Sequence, residues 1–135
     1  MNPTDAELRS VLRKARNIAV VGASNNVNTY SNEVTGFLID AGYNIYPVNP
    51  NETEVLGLPC YPSLEAVPVK PDIVDVFRRS EHAAGIVDDA AKMVPVTVWL
   101  QEGVRSQDAT NLAQKHGIQL VSSMCIMKTY WRLFN

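Results

Sequence analysis

The sequence has few of the residues that form disulfide frameworks, metal centres and histidine-dependent active sites. Its 135 residues include two cysteines and two histidines. Cys60 and Cys125 each stand alone, without a C-x-x-C pair, so their spacing gives no metal-site pattern. Isolated cysteines are typical of proteins in a reducing compartment, and the sequence therefore predicts a cytoplasmic protein without a disulfide or a metal.

Long apolar runs and blocks of one charge are also missing. No stretch approaches the roughly 20 apolar residues that span a bilayer, and the polar, acidic start at residues 1–5 does not resemble a secretory signal. The net charge is −2 and no basic block is present. These features argue against a membrane or nucleic-acid partner. An apolar content of 46% is typical of an ordinary globular domain.

The most informative segment lies near the N-terminus. Residues 18–21 are apolar without interruption, which is typical of a strand that is buried on both faces of a parallel sheet. The run ends at Gly22-Ala23-Ser24, and a helical pattern resumes only after Ser31. A loop of small residues in this position brings backbone N–H groups close to a bound anion. The pattern therefore favours a nucleotide-type ligand.

Strand-like and helix-like segments alternate along the rest of the chain. Thr4 and Glu7 have the form of a capping box ahead of an amphipathic helix. Further helices are predicted to begin near Ser31, after Ser80 and at Ser106, and the five predicted strands cover 18–22, 43–48, 73–77, 96–100 and 118–121. The proline-rich crossover 49–72 is predicted to be irregular, with one short helical turn at 63–66.

This alternation predicts one doubly wound, Rossmann-like α/β domain over residues 1–135. The expected order of the five parallel strands is 3-2-1-4-5. Ligands of such sheets bind at the carboxyl ends of the strands, near the point where the strand order reverses. We therefore expect the site near the switch point between strands 1 and 4.

The carboxyl ends of the strands select the candidate binding residues. They are Gly22, Ala23 and Ser24 after strand 1, Val48, Asn49 and Pro50 after strand 2, Phe77 and Arg78 after strand 3, and Gln101 and Gly103 after strand 4. Each segment alone is typical of a turn or a surface, but their shared position favours ligand binding. The Ser24 loop suits a diphosphate, and the planar guanidinium of Arg78 suits a phosphate. Phe77 and the prolines offer apolar faces to a base or a pantetheine-like arm, while Gln101 and Gly103 offer an amide and bare backbone.

Two other kinds of site fit the sequence less well. A dinucleotide fingerprint needs G-x-G-x-x-G and an acidic residue closing strand 2, but residues 23–27 contain no glycine and strand 2 ends at Asn49. An NAD(H)-binding sensor module is therefore disfavoured but stays open. A serine-hydrolase elbow, G-x-S-x-G, fails at Asn26, and His82 and His116 both read as surface positions.

Motifs in register along the chain resemble the small stand-alone CoA-binding domain proteins. The motifs are VVGAS at 20–24, YPVNP at 46–50, VLG at 55–57, DIVDVFR at 72–78 and WLQEG at 99–103. They are also similar to the CoA-binding domain of the NDP-forming acyl-CoA ligase α subunits, including succinyl-CoA synthetase. The resemblance implies coenzyme A or an acyl-CoA as the ligand. It places the phosphates at the Gly22 loop, the adenosine end beside Asn49 and Pro50, and the pantetheine path along 77–78 and 101–103.

The resemblance also implies what is missing. Ligases of that group need a further domain with a phosphorylated histidine, and too few residues follow strand 5 to form one. We therefore expect a CoA-binding protein without catalysis of its own. A small enzyme acting on a CoA ester is the alternative, with Glu102 or Asp75 as its base.

The C-terminal tail begins where such proteins commonly carry a cysteine, here Cys125. A mixed disulfide between Cys125 and CoA is one hypothesis, and a buried, inert thiol is the other. Beyond it, Thr129-Tyr130-Trp131 departs from the acidic residue and histidine often found in relatives. The tail is expected to dock on the core or on a second subunit, so a homodimer or a protein partner stays open.

Overall fold

Alternating strands and helices form a three-layer α/β structure in the computed structural model, which describes residues 2–134. The helices are α1 (Asp5–Lys14), α2 (Tyr30–Asp40), α3 (Ala83–Ala90), α4 (Gln107–His116) and α5 (Ile126–Phe134). The strands are β1 (Asn17–Val21), β2 (Asn44–Val48), β3 (Glu54–Val55), β4 (Leu58–Pro59), β5 (Ile73–Val76), β6 (Thr97–Leu100) and β7 (Gln119–Val121). Within this part of the chain, no helix is both long and apolar enough to cross a bilayer.

The predicted α/β class with a five-stranded parallel sheet is confirmed, but the predicted strand order is wrong. The sheet runs β2-β1-β5-β6-β7, which is 2-1-3-4-5 when the five long strands are counted along the chain. Every residue of β5 is buried, as expected for a central strand. The order therefore reverses between β1 and β5, and the switch point lies there rather than between strands 1 and 4.

Pro47 explains why β2 lies at the edge of the sheet. Proline has no N–H to donate to a ladder, so within sheets it is confined to edge strands and strand starts. The order 3-2-1-4-5 would have placed β2 between two partners. Instead, Pro47 pairs with Val20 of β1 on one side, and on the other its carbonyl oxygen accepts a hydrogen bond from the Tyr61 N–H at 2.9 Å.

Helices cover both faces of the sheet, which is why its strands are continuously apolar. Ile18 and Val20 face the core formed with α1, α2 and α5, whereas Ala19 and Val21 face the core formed with α3 and α4. The α5 helix was not predicted. It docks on the first of these cores through Leu133 and through aromatic contacts with α2, and Trp131 remains 51% exposed.

The capping residues recognised in the sequence predicted the ends of several helices correctly. Both hydrogen bonds of the Thr4–Glu7 capping box are present, and α4 begins after Ser106 and ends at Gly117, which adopts a left-handed φ of 70°. The α2 helix begins at Tyr30, next to the predicted Ser31, and the Thr29 side chain caps it. The crossover 49–72 is largely irregular and has the expected helical turn, a 3-10 turn at Leu64–Ala66. It also forms the β3–β4 hairpin, which was not predicted.

Candidate ligand-binding cleft

A cleft opens at the carboxyl ends of β1, β2 and β5, beside the switch point. Its volume of about 370 Å³ falls within the range of small-molecule sites. The lining consists of Val21, Gly22, Val48, Asn49, Pro50, Asn51, Pro62, Ser63, Leu64, Arg78, Ile86 and Asp89. Five of the residues selected from the sequence are therefore part of one cavity wall: Gly22, Val48, Asn49, Pro50 and Arg78.

Gly22 brings three strand ends together. Its N–H donates to the Val48 carbonyl oxygen at 2.9 Å, which joins the ends of β1 and β2. Its φ of +89° is a conformation that favours glycine. A Cβ atom at this position would lie 2.4 Å from the carbonyl oxygen of Phe77, at the end of β5. The close approach of these backbones therefore requires a residue without a side chain.

The loop after Gly22 carries hydrogen-bond donors that the rest of the structure leaves unused. Among residues 2–134, the backbone N–H groups of Ser24 and Asn25 have no hydrogen-bond acceptor. The Ser24 hydroxyl oxygen accepts from the Asn26 N–H at 3.0 Å, so the hydroxyl proton is free to be donated. Successive N–H groups in a tight loop form a concavity that binds anions.

Asn49 holds this loop in place. Its side-chain amide donates to the carbonyl oxygen of buried Ala23 at 2.8 Å, and its amide oxygen accepts from the Asn51 N–H at 2.9 Å. Because a carboxylate cannot donate to a carbonyl, an acidic residue here would lose the first contact. The exposed Pro50 follows at the rim. Asn49 therefore positions the Gly22 loop, a role that the sequence did not indicate.

Arg78 is the cation of the cleft. It is exposed at the end of β5, and within the described part of the chain no carboxylate lies within ion-pair distance of it. The adjacent Arg79, by contrast, pairs with Glu81 at 3.1 Å. A guanidinium without a carboxylate partner, placed beside a small-molecule cavity, is suited to bidentate recognition of a phosphate.

The other predicted site residues lie outside the cleft wall. Phe77 packs against the core on the opposite face of the sheet. Gln101 is 3% exposed, and its amide group donates to Asp75 at 3.5 Å and accepts from the Ile126 N–H at 3.1 Å. Gly103 donates its N–H to the Ser123 hydroxyl at 3.0 Å. These contacts tie β5, β6 and the start of α5 together.

Cys125 is buried beneath Tyr30. Its sulfur lies 2.6 Å from the Tyr30 hydroxyl and accepts a longer hydrogen bond, 3.5 Å, from the Lys128 N–H in the first turn of α5. The Tyr30 ring meets Phe77 edge-on, with ring centroids 6.4 Å apart. Burial raises the pKa of Tyr30 well above its usual value, and the hydrogen bond to Cys125 raises it further. Sequence reasoning missed Tyr30, because nothing local marks a contact between residues so far apart in the chain.

The two carboxylates considered as catalytic bases lie in contrasting surroundings. Asp75 is completely buried in the central strand, and burial raises its pKa well above the usual value. One of its oxygens has no hydrogen-bond partner within residues 2–134. Glu102 is exposed and pairs with Lys128 at 3.2 Å. Neither residue lines the cleft.

The far wall of the cleft consists of residues that were not predicted as site residues. Ser63 and Leu64 come from the crossover, and Ile86 and Asp89 come from α3. The helical turn at 63–66 and the apolar face of α3 were both recognised in the sequence, but only the tertiary fold brings them over the ends of β1 and β2.

The strand order and the cleft at the carboxyl ends place the structure in the Rossmann-like α/β class. Within this class, the chain belongs to the CoA binding domain family, whose model matches residues 16–131. This membership supports a CoA-binding role and confirms the resemblance drawn from the five motifs.

Similar proteins include small chains and part of a larger enzyme. The uncharacterized protein YneT of Bacillus subtilis is 35% identical over 93% of each chain. The α subunit of ADP-forming acetate–CoA ligase II from Pyrococcus furiosus is 30% identical over 87% of this chain but only 29% of the subunit. A solved hypothetical protein from Pyrococcus horikoshii is 35% identical, covers 98% of this chain and 94% of its own, and superposes with a TM-score of 0.95.

Proposed function

We propose that the protein binds coenzyme A or an acyl-CoA at the carboxyl ends of its sheet and catalyses no reaction on its own. The observation that carries the proposal is the set of unused donors around Gly22. Arg78 has no carboxylate within ion-pair distance in residues 2–134, and the N–H groups of Ser24 and Asn25 are unbonded within the same part of the chain. A guanidinium and loop N–H groups are the donors that phosphates prefer.

The cleft fits the nucleotide half of the ligand. The Ser24 loop would hold the diphosphate, Arg78 would hold a phosphate of the nucleotide, and the apolar wall formed by Leu64 and Ile86 would enclose the base. The pantetheine arm would then run toward Phe77, on the other side of the switch point. Bound CoA carries a thiol that can be esterified with acyl groups, which is the chemistry such a protein would present to a partner.

The surroundings of the two carboxylates support binding without catalysis. Asp75 is fully enclosed by the sheet and the helices, so a substrate cannot reach it. Glu102 is engaged by Lys128 at the surface. The similar acetate–CoA ligase subunit is a much longer protein, and this chain matches only 29% of it. Because this chain matches the CoA binding domain model, we assign the shared region to CoA binding and place catalysis in the remainder of that enzyme.

A thermal-shift comparison tests the proposal. A ligand at about 100 times its Kd stabilises the folded state by roughly 2.7 kcal/mol, which raises the Tm of a domain of this size by several degrees. We expect a clear shift with CoA and acetyl-CoA, a smaller one with dephospho-CoA, and none with NAD. A shift with NADH alone would contradict the proposal and identify a dinucleotide module instead.

A further inference from the structure

The two edges of the sheet differ in whether a further strand can join them. An edge strand presents unpaired N–H and C=O groups to which another chain can bond. The β2 edge is closed, because Pro47 has no N–H and because Tyr61 donates to the Pro47 carbonyl oxygen and accepts from the Asn49 N–H, both at 2.9 Å. At the other edge, β7 pairs with β6 alone within residues 2–134 and contains neither a charge nor a proline. The β7 edge is therefore open to a further strand.

The direction of the backbone along β7 shows which of its groups are open. The N–H and C=O of one residue point to the same side of a strand, and successive residues point to opposite sides. Both backbone groups of Ser122 bond to the Asn2 side chain, away from β6, so Val121 faces β6 and Leu120 faces outward. Neither the N–H nor the C=O of Leu120 has a hydrogen-bond partner within the described residues 2–134.

The Asn2 side chain shows that this edge accepts a peptide group. Its amide, like a peptide group, combines an N–H donor with a C=O acceptor. It donates to the Ser122 carbonyl oxygen at 2.9 Å and accepts from the Ser122 N–H at 2.7 Å. A residue of an adjoining antiparallel strand exchanges the same two bonds with its partner. One pairing position of the edge is thus filled by a side chain, and the next one, at Leu120, is free.

A groove runs along the β7 edge. Its volume is about 720 Å³, against about 370 Å³ for the cleft. Gln119, Leu120 and Ser122 line it together with the start of α1 on one side and with Thr110 and Gln114 of α4 on the other. Because α1 and α4 cover opposite faces of the sheet, the edge lies between two walls. A single extended segment can reach it, whereas the β7 edge of a second copy would be recessed between the same walls.

The groove is lined mainly by neutral side chains. Glu7 and Arg105 are its charged members, one of each sign, and the Glu7 carboxylate already accepts from the Thr4 N–H at 2.9 Å. Amides and hydroxyls such as those of Gln114 and Thr110 hydrogen-bond polar side chains but cannot neutralise a charged one. The lining therefore favours an uncharged segment.

From these observations we propose that the β7 edge binds an extended, uncharged segment of another protein as an added strand. The Leu120 N–H and C=O would exchange hydrogen bonds with one residue of that segment. Main-chain bonds of this kind supply affinity in strand addition, and side chains along the groove supply specificity. The groove shares no lining residue with the cleft, so this interaction goes beyond CoA binding and does not depend on it.

The test uses short random peptides displayed on phage, selected on the wild-type protein and then synthesised. Each enriched peptide is compared with versions that are N-methylated at one backbone amide at a time, because an N-methyl group removes a donor. In an added strand, alternate amides face the protein. N-methylation should therefore raise the Kd about tenfold or more at alternate positions and by less than about twofold at the positions between them. Failure to enrich any peptide, or an effect of N-methylation without this alternation, would overturn the proposal.

Protein variants locate the interaction. Leu120→Pro removes the outward N–H at a place where an edge strand tolerates proline, and it should raise the Kd of the selected peptides about tenfold. Leu120→Ala is the control, since it shortens the side chain but keeps the N–H, and its Kd should stay within about threefold of the wild-type value. CoA binding should be the same in both variants, which shows that the fold is retained. If Leu120→Pro does not fold, the N-methylated peptides still decide.

Two results would contradict the assignment. Equal peptide binding by Leu120→Pro and wild-type protein would show that the β7 edge is not the site. Self-association of the wild-type protein in sedimentation experiments, lost in Leu120→Pro, would show that the edge pairs with a second copy and not with another protein.

Discussion

A Cβ atom on residue 22 would lie 2.4 Å from the carbonyl oxygen of Phe77. This relationship fixes how closely the ends of β1 and β5 approach at the switch point. The main chain at Gly22 lies directly against the main chain at Phe77. Neither segment can move aside as a flexible side chain would. The conformation of Gly22, with a φ of +89°, adds a second reason why other residues are unsuitable.

Gly22→Ala is therefore expected to destabilise the protein. The left-handed backbone costs an alanine about 1–2 kcal/mol, and the clash with the Phe77 carbonyl adds to this, so the free energy of unfolding in urea should fall by about 2 kcal/mol or more. Gly85→Ala is the control, since a Cβ there meets nothing within 4 Å. In helix α3 it should leave stability unchanged or raise it by up to about 1 kcal/mol. Equal effects of the two substitutions would contradict this view of Gly22.

Asp75 should make the stability of the protein depend on pH. Burial raises the pKa of its carboxyl in the folded state, whereas the pKa of an aspartate in the unfolded chain is about 3.9. At a pH between these two values, the unfolded chain has released a proton that the folded chain still holds. Stability is then lost as the pH rises through this window, by up to about 1.4 kcal/mol per pH unit.

Asp75→Asn removes this titration. The unfolding free energies of wild-type and variant protein would be measured from pH 4 to pH 8. Between the two pKa values of Asp75, the slopes of these free energies against pH should differ by about 1.4 kcal/mol per pH unit, which corresponds to one proton. The exposed carboxylates with a lowered pKa, Asp5 and Glu7, are present in both proteins and cancel in the comparison. If the unfolding free energies of the two proteins instead changed with pH in parallel, Asp75 would be ionised in the folded protein.

The burial of Cys125 predicts that its thiol resists modification. It is 3% exposed and in contact with the Tyr30 hydroxyl. In a Cys60→Ser variant, where Cys125 is the remaining thiol, native protein treated with CoA and diamide should show no CoA adduct by non-reducing mass spectrometry. The same protein unfolded in urea should react. A stoichiometric adduct on the native variant would instead support the mixed disulfide between Cys125 and CoA.

The sequence was sufficient to predict the class of the fold, because buried parallel strands and capped helices leave strong local patterns. The strand order was predicted wrongly, although Pro47 carried the information needed to correct it. A strand that contains proline belongs at an edge, and this places β2 outside β1 and leaves β5 at the centre. The α5 helix was missed although its apolar residues recur at helical spacing, at Ile126, Met127, Tyr130, Leu133 and Phe134. Its packing on α1 and α2 and the hydrogen bond from the Ile126 N–H to Gln101 depend on the tertiary fold and leave no local pattern.

The part of the site that lies at the carboxyl ends of the strands was predictable from the topology of parallel sheets. Strand ends converge, and Gly22, Asn49 and Arg78 therefore lie around one cleft. The far wall was not predictable, because Ser63 and Asp89 reach the cleft only through the path of the crossover and α3. The role of Asn49 as a tie to Ala23 also depends on a contact between two loops that no local pattern describes.

The most direct test of CoA binding in this cleft is a calorimetric titration of CoA into wild-type protein, Arg78→Ala and Arg79→Ala. The Arg78→Ala variant loses a charged hydrogen-bond donor to the phosphate, so its Kd for CoA should rise about tenfold or more. The Arg79 side chain pairs with Glu81 instead, so the Kd of the Arg79→Ala variant should stay within about twofold of the wild-type value. The free energy of unfolding of both variants should lie within about 0.5 kcal/mol of the wild-type value, as expected for substitutions of surface residues. Unchanged CoA affinity in Arg78→Ala, or equal losses in both variants, would contradict the assignment of the phosphate to this cleft.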